Sequence, residues 1–119
     1  MNLVRIAKGR WEVLAEVESG GSCPVLDLLN QVKEPQRFLS RFLRIYLPLE
    51  GPPVSSLPRC RLLSDGIFEL LSAPGGQEPA VLFFVDEDQR IVCGSTSSPK
   101  PRYLAAKSAR GLQISEEAL

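Results

Sequence analysis

Cys60-Arg61-Leu62-Leu63-Ser64-Asp65-Gly66-Ile67-Phe68-Glu69-Leu70-Leu71, followed by Ala80-Val81-Leu82-Phe83-Phe84-Val85 and Arg90-Ile91-Val92-Cys93, decides the fold class of this chain. Residues 67–71 are apolar apart from Glu69, residues 80–85 are apolar throughout, and residues 91–93 follow a polar tip. Pro74-Gly75-Gly76 and Asp86-Glu87-Asp88-Gln89 separate these runs, and both have turn chemistry. A further short strand is expected at 59–63, reversed into Ile67 by Ser64-Asp65-Gly66. Connections this short join antiparallel neighbours, so the stretch predicts an antiparallel meander. Residues 81–85 lack clean alternation, as a strand covered on both faces does, which makes them the expected central strand.

Upstream, residues 11–17 alternate, with Trp11, Val13, Ala15 and Val17 set against Glu12, Leu14 and Glu16. That is the period of a half-buried strand, ended by Ser19-Gly20-Gly21-Ser22, and the residues before Ala7 are expected only as its loose start. Pro24 suits the first turn of a helix, and Val25, Leu26, Leu28, Leu29 and Val32 carry an amphipathic pattern to about residue 33. Pro35 interrupts it, and a second helix is expected over 35–47. Its apolar set is Phe38, Leu39, Phe42, Leu43, Tyr46 and Leu47, neighbouring pairs repeated every four residues. Buried against a sheet, each large side chain contributes roughly 1.5–3 kcal/mol, so this helix is the expected cover. Gly51-Pro52-Pro53 stops it. Downstream of the meander, the Ser- and Pro-rich residues 94–101 predict a loop, residues 102–110 a short helix ended by Gly111, and residues 111–119 a flexible tail. The expected class is α+β in one domain spanning 1–119: an N-terminal strand, two helices packed on an antiparallel β-meander, and a short C-terminal helix.

Composition bounds the chemistry. The 119 residues are 44% hydrophobic and 24% charged, as in ordinary globular domains, and no apolar run approaches a membrane span or a signal-peptide core. A cytoplasmic location without membrane association is the expectation. Cys23, Cys60 and Cys93 are widely spaced, which suits buried, inert thiols rather than a disulfide framework or a zinc site. Histidine is absent, which removes the commonest general base and transition-metal ligand. The zero net charge is unevenly distributed: residues 31–62 carry +4, residues 63–99 carry −5, and residues 100–119 carry +2. One basic face and one acidic loop region follow, rather than a uniformly basic nucleic-acid binder.

Two groups of residues offer a site. Arg37, Arg41 and Arg44 recur at i, i+4 and i+7 on the second helix, either as a solvated face or as a stripe for phosphate or carboxylate. Lys100, Arg102, Tyr103, Lys107 and Arg110 follow the last strand, and in a helix over 102–110 Tyr103, Lys107 and Arg110 share a face. A tyrosine among cations can stack on a base or move a proton while the cations hold phosphate; packed under its helix, it does neither. Asp86-Glu87-Asp88 sits at a predicted hairpin tip and is expected as a solvated turn, not a cation site. No phosphate loop, dinucleotide fingerprint or metal-spacing cluster occurs, and no cofactor is expected.

Trp11 with Val13, then Gly21 to Asp27, Gly51-Pro52-Pro53, Leu63 to Leu70, and residues 81–85 with Arg90-Ile91-Val92 stand in an order that resembles the phage-derived HigB-like branch of the RelE/ParE toxin superfamily. The resemblance covers residues 9–110, and Asp65-Gly66-Ile67-Phe68-Glu69-Leu70 is its most specific piece. It implies helices packed on an antiparallel sheet, metal-independent cleavage of messenger RNA on the ribosome, and inhibition by an antitoxin protein, expected to be of helix-turn-helix type. The implied chemistry is attack of a ribose 2′-hydroxyl on the adjoining phosphodiester, which needs a base, an acid and cations around the phosphorane. Carried over by position, Tyr103 matches a tyrosine of some RelE-type members, with Lys100 and Arg102 as its phosphate cations. Arg37, Arg41, Arg44, Lys107 and Arg110 are then candidates for RNA or partner binding. Leu71 and Ala80 occupy positions where the family often has arginines, and Ser95 to Ser98 replace an aromatic and a basic pair. The expected function is therefore the ribonuclease toxin of a type II toxin–antitoxin pair, with an inactive RelE-like binding module as the alternative.

Overall fold

The computed structural model describes residues 2–18, 20–30, 34–54, 57, 59–62, 66–71, 79–86, 88–95 and 113–116. Strands β1 (Asn2–Lys8) and β2 (Glu12–Val17) come first, then helices α1 (Pro24–Leu29) and α2 (Glu34–Arg41). A π-helical segment, Phe42–Tyr46, continues α2 directly into α3 (Leu47–Glu50). Strands β3 (Cys60–Leu62), β4 (Phe68–Leu71), β5 (Pro79–Val85), β6 (Arg90–Ser95) and β7 (Gln113–Glu116) follow. The seven strands among the described residues form one sheet in the order β3-β4-β5-β6-β2-β1-β7.

The meander is as the turn chemistry requires: β3 to β6 pair in sequence, each antiparallel to the next. β5 is interior, while β6 holds the middle of the sheet. The rest of the sheet is larger and more mixed than the sequence reading. Residues 2–8 are a full strand in an antiparallel hairpin with β2, not a loose start. β2 joins the meander by parallel pairing with β6, and Gln113–Glu116, expected within a flexible tail, pairs parallel with β1 at the far edge. The helix expected at 102–110 lies outside the described residues.

Both sheet faces are buried, which explains the run without alternation. On one face Val4, Val13, Ala15, Phe68, Leu70, Phe83 and Cys93 share a cluster with helix residues Val25, Leu29, Leu39, Leu43 and Leu47. On the other, Leu3, Leu14, Phe84 and Val92 are almost wholly buried with Ile67. Phe83 and Phe84 thus point to opposite faces, and Leu14, the apolar residue on the polar side of the β2 alternation, belongs to the second. Phe68 and Phe83 stack across β4 and β5 with centroids 4.8 Å apart.

Pro24 opens α1 at its first turn, and Asn30 closes it, short of the expected residue 33. The long helix runs past Leu47 to Glu50, although Pro48 lies inside it. In a regular α-helix the Pro48 ring would press on the carbonyl of Arg44 and leave it without a donor. The turn ahead is widened instead: the Leu47 N–H reaches back five residues to the Phe42 carbonyl. The helix end then docks on the β1–β2 turn, where the Trp11 N–H donates to the Pro48 carbonyl at 3.1 Å. Gly9 permits the approach, since a Cβ there would stand 2.7 Å from that oxygen.

Cys23, Cys60 and Cys93 are all buried free thiols, as their spacing suggested. Burial pushes the Cys60 thiol up to about 12, and burial together with Cys23 raises that of Cys93 further. The reactive thiolate is therefore suppressed at neutral pH. Native protein is expected to react with an aromatic disulfide reagent at least about 100-fold more slowly than the denatured chain, which should titrate all three thiols. Rapid native labelling of Cys60 or Cys93 would contradict this burial.

Candidate functional site

The long helix presents three rows to its surroundings. Leu39, Leu43 and Leu47, four residues apart, are fully buried toward the sheet. A second row of large apolar side chains follows them only in part: Phe42 is buried in the same cluster, while Phe38 is half-buried and Tyr46 is at the surface. The paired pattern in the sequence therefore divides between the core and an outer flank. Phe38, Phe42 and Tyr46 form a ladder there, with centroid separations of 5.9 and 4.9 Å, and Phe42 also meets Phe83 at 6.5 Å.

This ladder floors an open groove of about 460 Å³, lined by Phe38, Arg41, Phe42, Ile45, Tyr46, Leu49 and Glu50. Ile45 and Leu49 stand at its rim with relative exposures of 58% and 56%. Neither belonged to the apolar set read from the sequence. The signal was present, because Ile45 and Leu49 are surplus to the four-residue repeat that the core needs.

The third row is basic. Arg37 and Arg41 are exposed, whereas Arg44 is half-buried, so the three arginines do not form one uniformly exposed stripe. Arg59, just before β3, lies over the Phe38 ring at 3.8 Å, adding a cation to the same end of the groove. Arg61 is engaged with Glu69, directly opposite on β4, at 3.1 Å. What this face can do chemically is bind: guanidinium forks and an aromatic–aliphatic floor suit anionic or amphipathic ligands.

The other candidates fare differently. Tyr103, Lys100, Arg102, Lys107 and Arg110 lie outside the described residues, so the structure neither assembles nor disperses that cluster. Leu71 is buried at 4% exposure in β4, with its N–H donated to the Arg59 carbonyl. The acidic tip is not the solvated turn expected from its composition. Asp86 is buried, and its carboxylate accepts from the N–H groups of Asp88 (2.9 Å) and Arg90 (3.0 Å). The Arg90 guanidinium meets the same carboxylate twice at 2.9 Å, through Nε and Nη2, and Nη2 also reaches Asp88 at 3.1 Å. A main-chain loop from Asp86 to Arg90 is thereby fixed, with Gln89 at φ 62°. Among the described residues, no group of three or more His, Cys, Asp or Glu side chains could hold a metal ion, and no helix is long and apolar enough to cross a membrane.

Comparison of the chain with protein-family models, with curated proteins and with solved structures finds no match.

Proposed function

We propose that this chain is a divergent RelE-like toxin, a weak ribosome-dependent messenger endoribonuclease held by a protein partner. The observation that carries the reading is the path of residues 12–95: a strand, two helical segments on one sheet face, and an antiparallel meander. That path supports the architecture the resemblance implies, while the parallel pairing of β2 with β6 and the added strands β1 and β7 go beyond it. The exposed Arg37, with Arg59 over the Phe38 ring, offers cations for the RNA backbone. Proton transfer falls to Tyr103 and charge stabilisation to Lys100 and Arg102. An unperturbed tyrosine titrates near 10, so Lys107 and Arg110 would serve to bring it toward neutrality.

One observation favours a second reading. Leu71, at a position where the family often has an arginine, is an apolar side chain buried in the sheet and cannot donate to a phosphorane. A relative that has lost catalysis and keeps a binding face would look the same there.

Induced expression in bacteria separates the two. The nuclease reading expects slowed growth, a fall in bulk translation and cleaved ribosome-bound messengers. Tyr103→Phe or Lys100→Ala should lower cleavage by on the order of 100-fold, as loss of one transition-state contact does. Unchanged growth and translation at high expression would remove the nuclease and leave the binding module.

A further inference from the structure

The outer flank of the long helix has a symmetry that the functional reading does not use. Around a point between Ile45 and Tyr46, six of the seven groove residues, all but Phe38, fall into matched pairs: Phe42 and Leu49 stand equally far along the chain on either side, and so do Arg41 and Glu50. Laid antiparallel against an identical helix, Ile45 faces Tyr46, Leu49 enters above Phe42, and Arg41 meets Glu50 at both ends. We propose that the chain pairs with a second copy of itself through this flank, the two long helices packing antiparallel about a twofold axis beside Ile45 and Tyr46.

Charge selects this occupant and this orientation. A twofold contact requires one patch to be complementary to itself, and a cation and an anion equidistant from the axis meet that condition. A parallel pair would set Arg41 against Arg41 and Glu50 against Glu50, which repel. An acidic foreign helix would suit Arg41 but not Glu50. The shape agrees as well: at the usual helix–helix separation of about 8–10 Å, the projecting Ile45 and Leu49 of each copy fill the other's groove. Both are more than half exposed, so pairing removes apolar surface from water without rearranging the core.

The test is mass in solution, by sedimentation velocity and light scattering over about 1 µM to 1 mM, a range that captures modest dissociation constants. The parent should move from the 13.1 kDa monomer to twice that mass across the range. Ile45→Glu and Leu49→Glu, at exposed positions, should leave far-UV circular dichroism unchanged and abolish the dimer. Arg41→Glu should weaken association by about tenfold or more, and Arg41→Glu with Glu50→Arg should restore it to within about threefold of the parent. A parent that stays monomeric to 1 mM overturns the proposal. So does a dimer that survives Ile45→Glu, a single charge reversal without effect, or a double reversal no better than the single one.

Discussion

Gly51→Ala is expected to lower stability by about 3 kcal/mol, a fall in Tm of roughly 10–15 °C for a chain of this size. Two independent penalties combine. Gly51 closes the long helix at φ 77° and ψ −175°, a region that side chains with a Cβ rarely enter. A Cβ there would also stand 2.5 Å from Trp11 Nε1 and 2.6 Å from Cε2. The turn that carries Trp11 is itself tied to the helix end, the Trp11 backbone N–H donating to the Pro48 carbonyl at 3.1 Å. Gly20→Ala is the control: nothing lies within 4 Å of a Cβ at that position, and its Tm should stay near the parent's. Equal melting of the two variants would show that the helix end and the Trp11 turn are not locked together.

Asp86→Ala should destabilise by a similar amount, about 3 kcal/mol, because it strands a guanidinium built around a buried carboxylate. Arg90 is only 19% exposed in its side chain and loses its main counter-charge, while two N–H groups lose their acceptor. Asp86→Asn retains one oxygen acceptor and should lose roughly 1–2 kcal/mol. Asp88→Ala removes a rim contact made by a carboxylate that is itself 42% exposed, and should fall within about 0.5 kcal/mol of the parent. Chemical denaturation of the three variants measures the ranking. Asp88→Ala as damaging as Asp86→Ala would mean that the tip is held from outside rather than from within.

How far the sequence reveals this fold depends on how local each signal is. The meander was legible because its turns and apolar runs lie within a few residues of one another, and Phe83-Phe84 announced two covered faces. The long helix was legible from its four-residue repeat, although the same repeat concealed that Phe38 and Tyr46 turn to a flank while Leu39 and Leu47 turn inward. The β1–β2 hairpin has a weak local signal because its connection, Gly9-Arg10-Trp11, is three residues long without a two-residue hairpin signature, and residues 2–8 mix Arg5 and Lys8 among apolar positions. β7 carries almost no local signal: Gln113-Ile114-Ser115-Glu116 becomes a strand only because β1 offers it an edge. For the site, the arginine spacing was readable, but the exposure of each arginine depends on how the helix sits over the sheet. Asp86 was misread for the same reason, since composition alone does not distinguish an aspartate that holds a turn together from one bathed in water.

The pairing of β7 with β1 gives the chain an order of assembly. Residues 2–5 lie alongside residues 113–116, so the outer edge of β1 can be closed only after Gln113–Glu116 has left the ribosome, more than a hundred residues later. The β1–β2 hairpin has local partners and can form early, long before its neighbour on the other side exists. In the interval, a row of unpaired backbone groups faces solvent at one margin of a growing sheet, where any other nascent strand can add. A chain stalled or clipped before Gln113 would keep that margin open permanently. The four residues of β7, which look dispensable by composition, are thus the seal that ends the exposure.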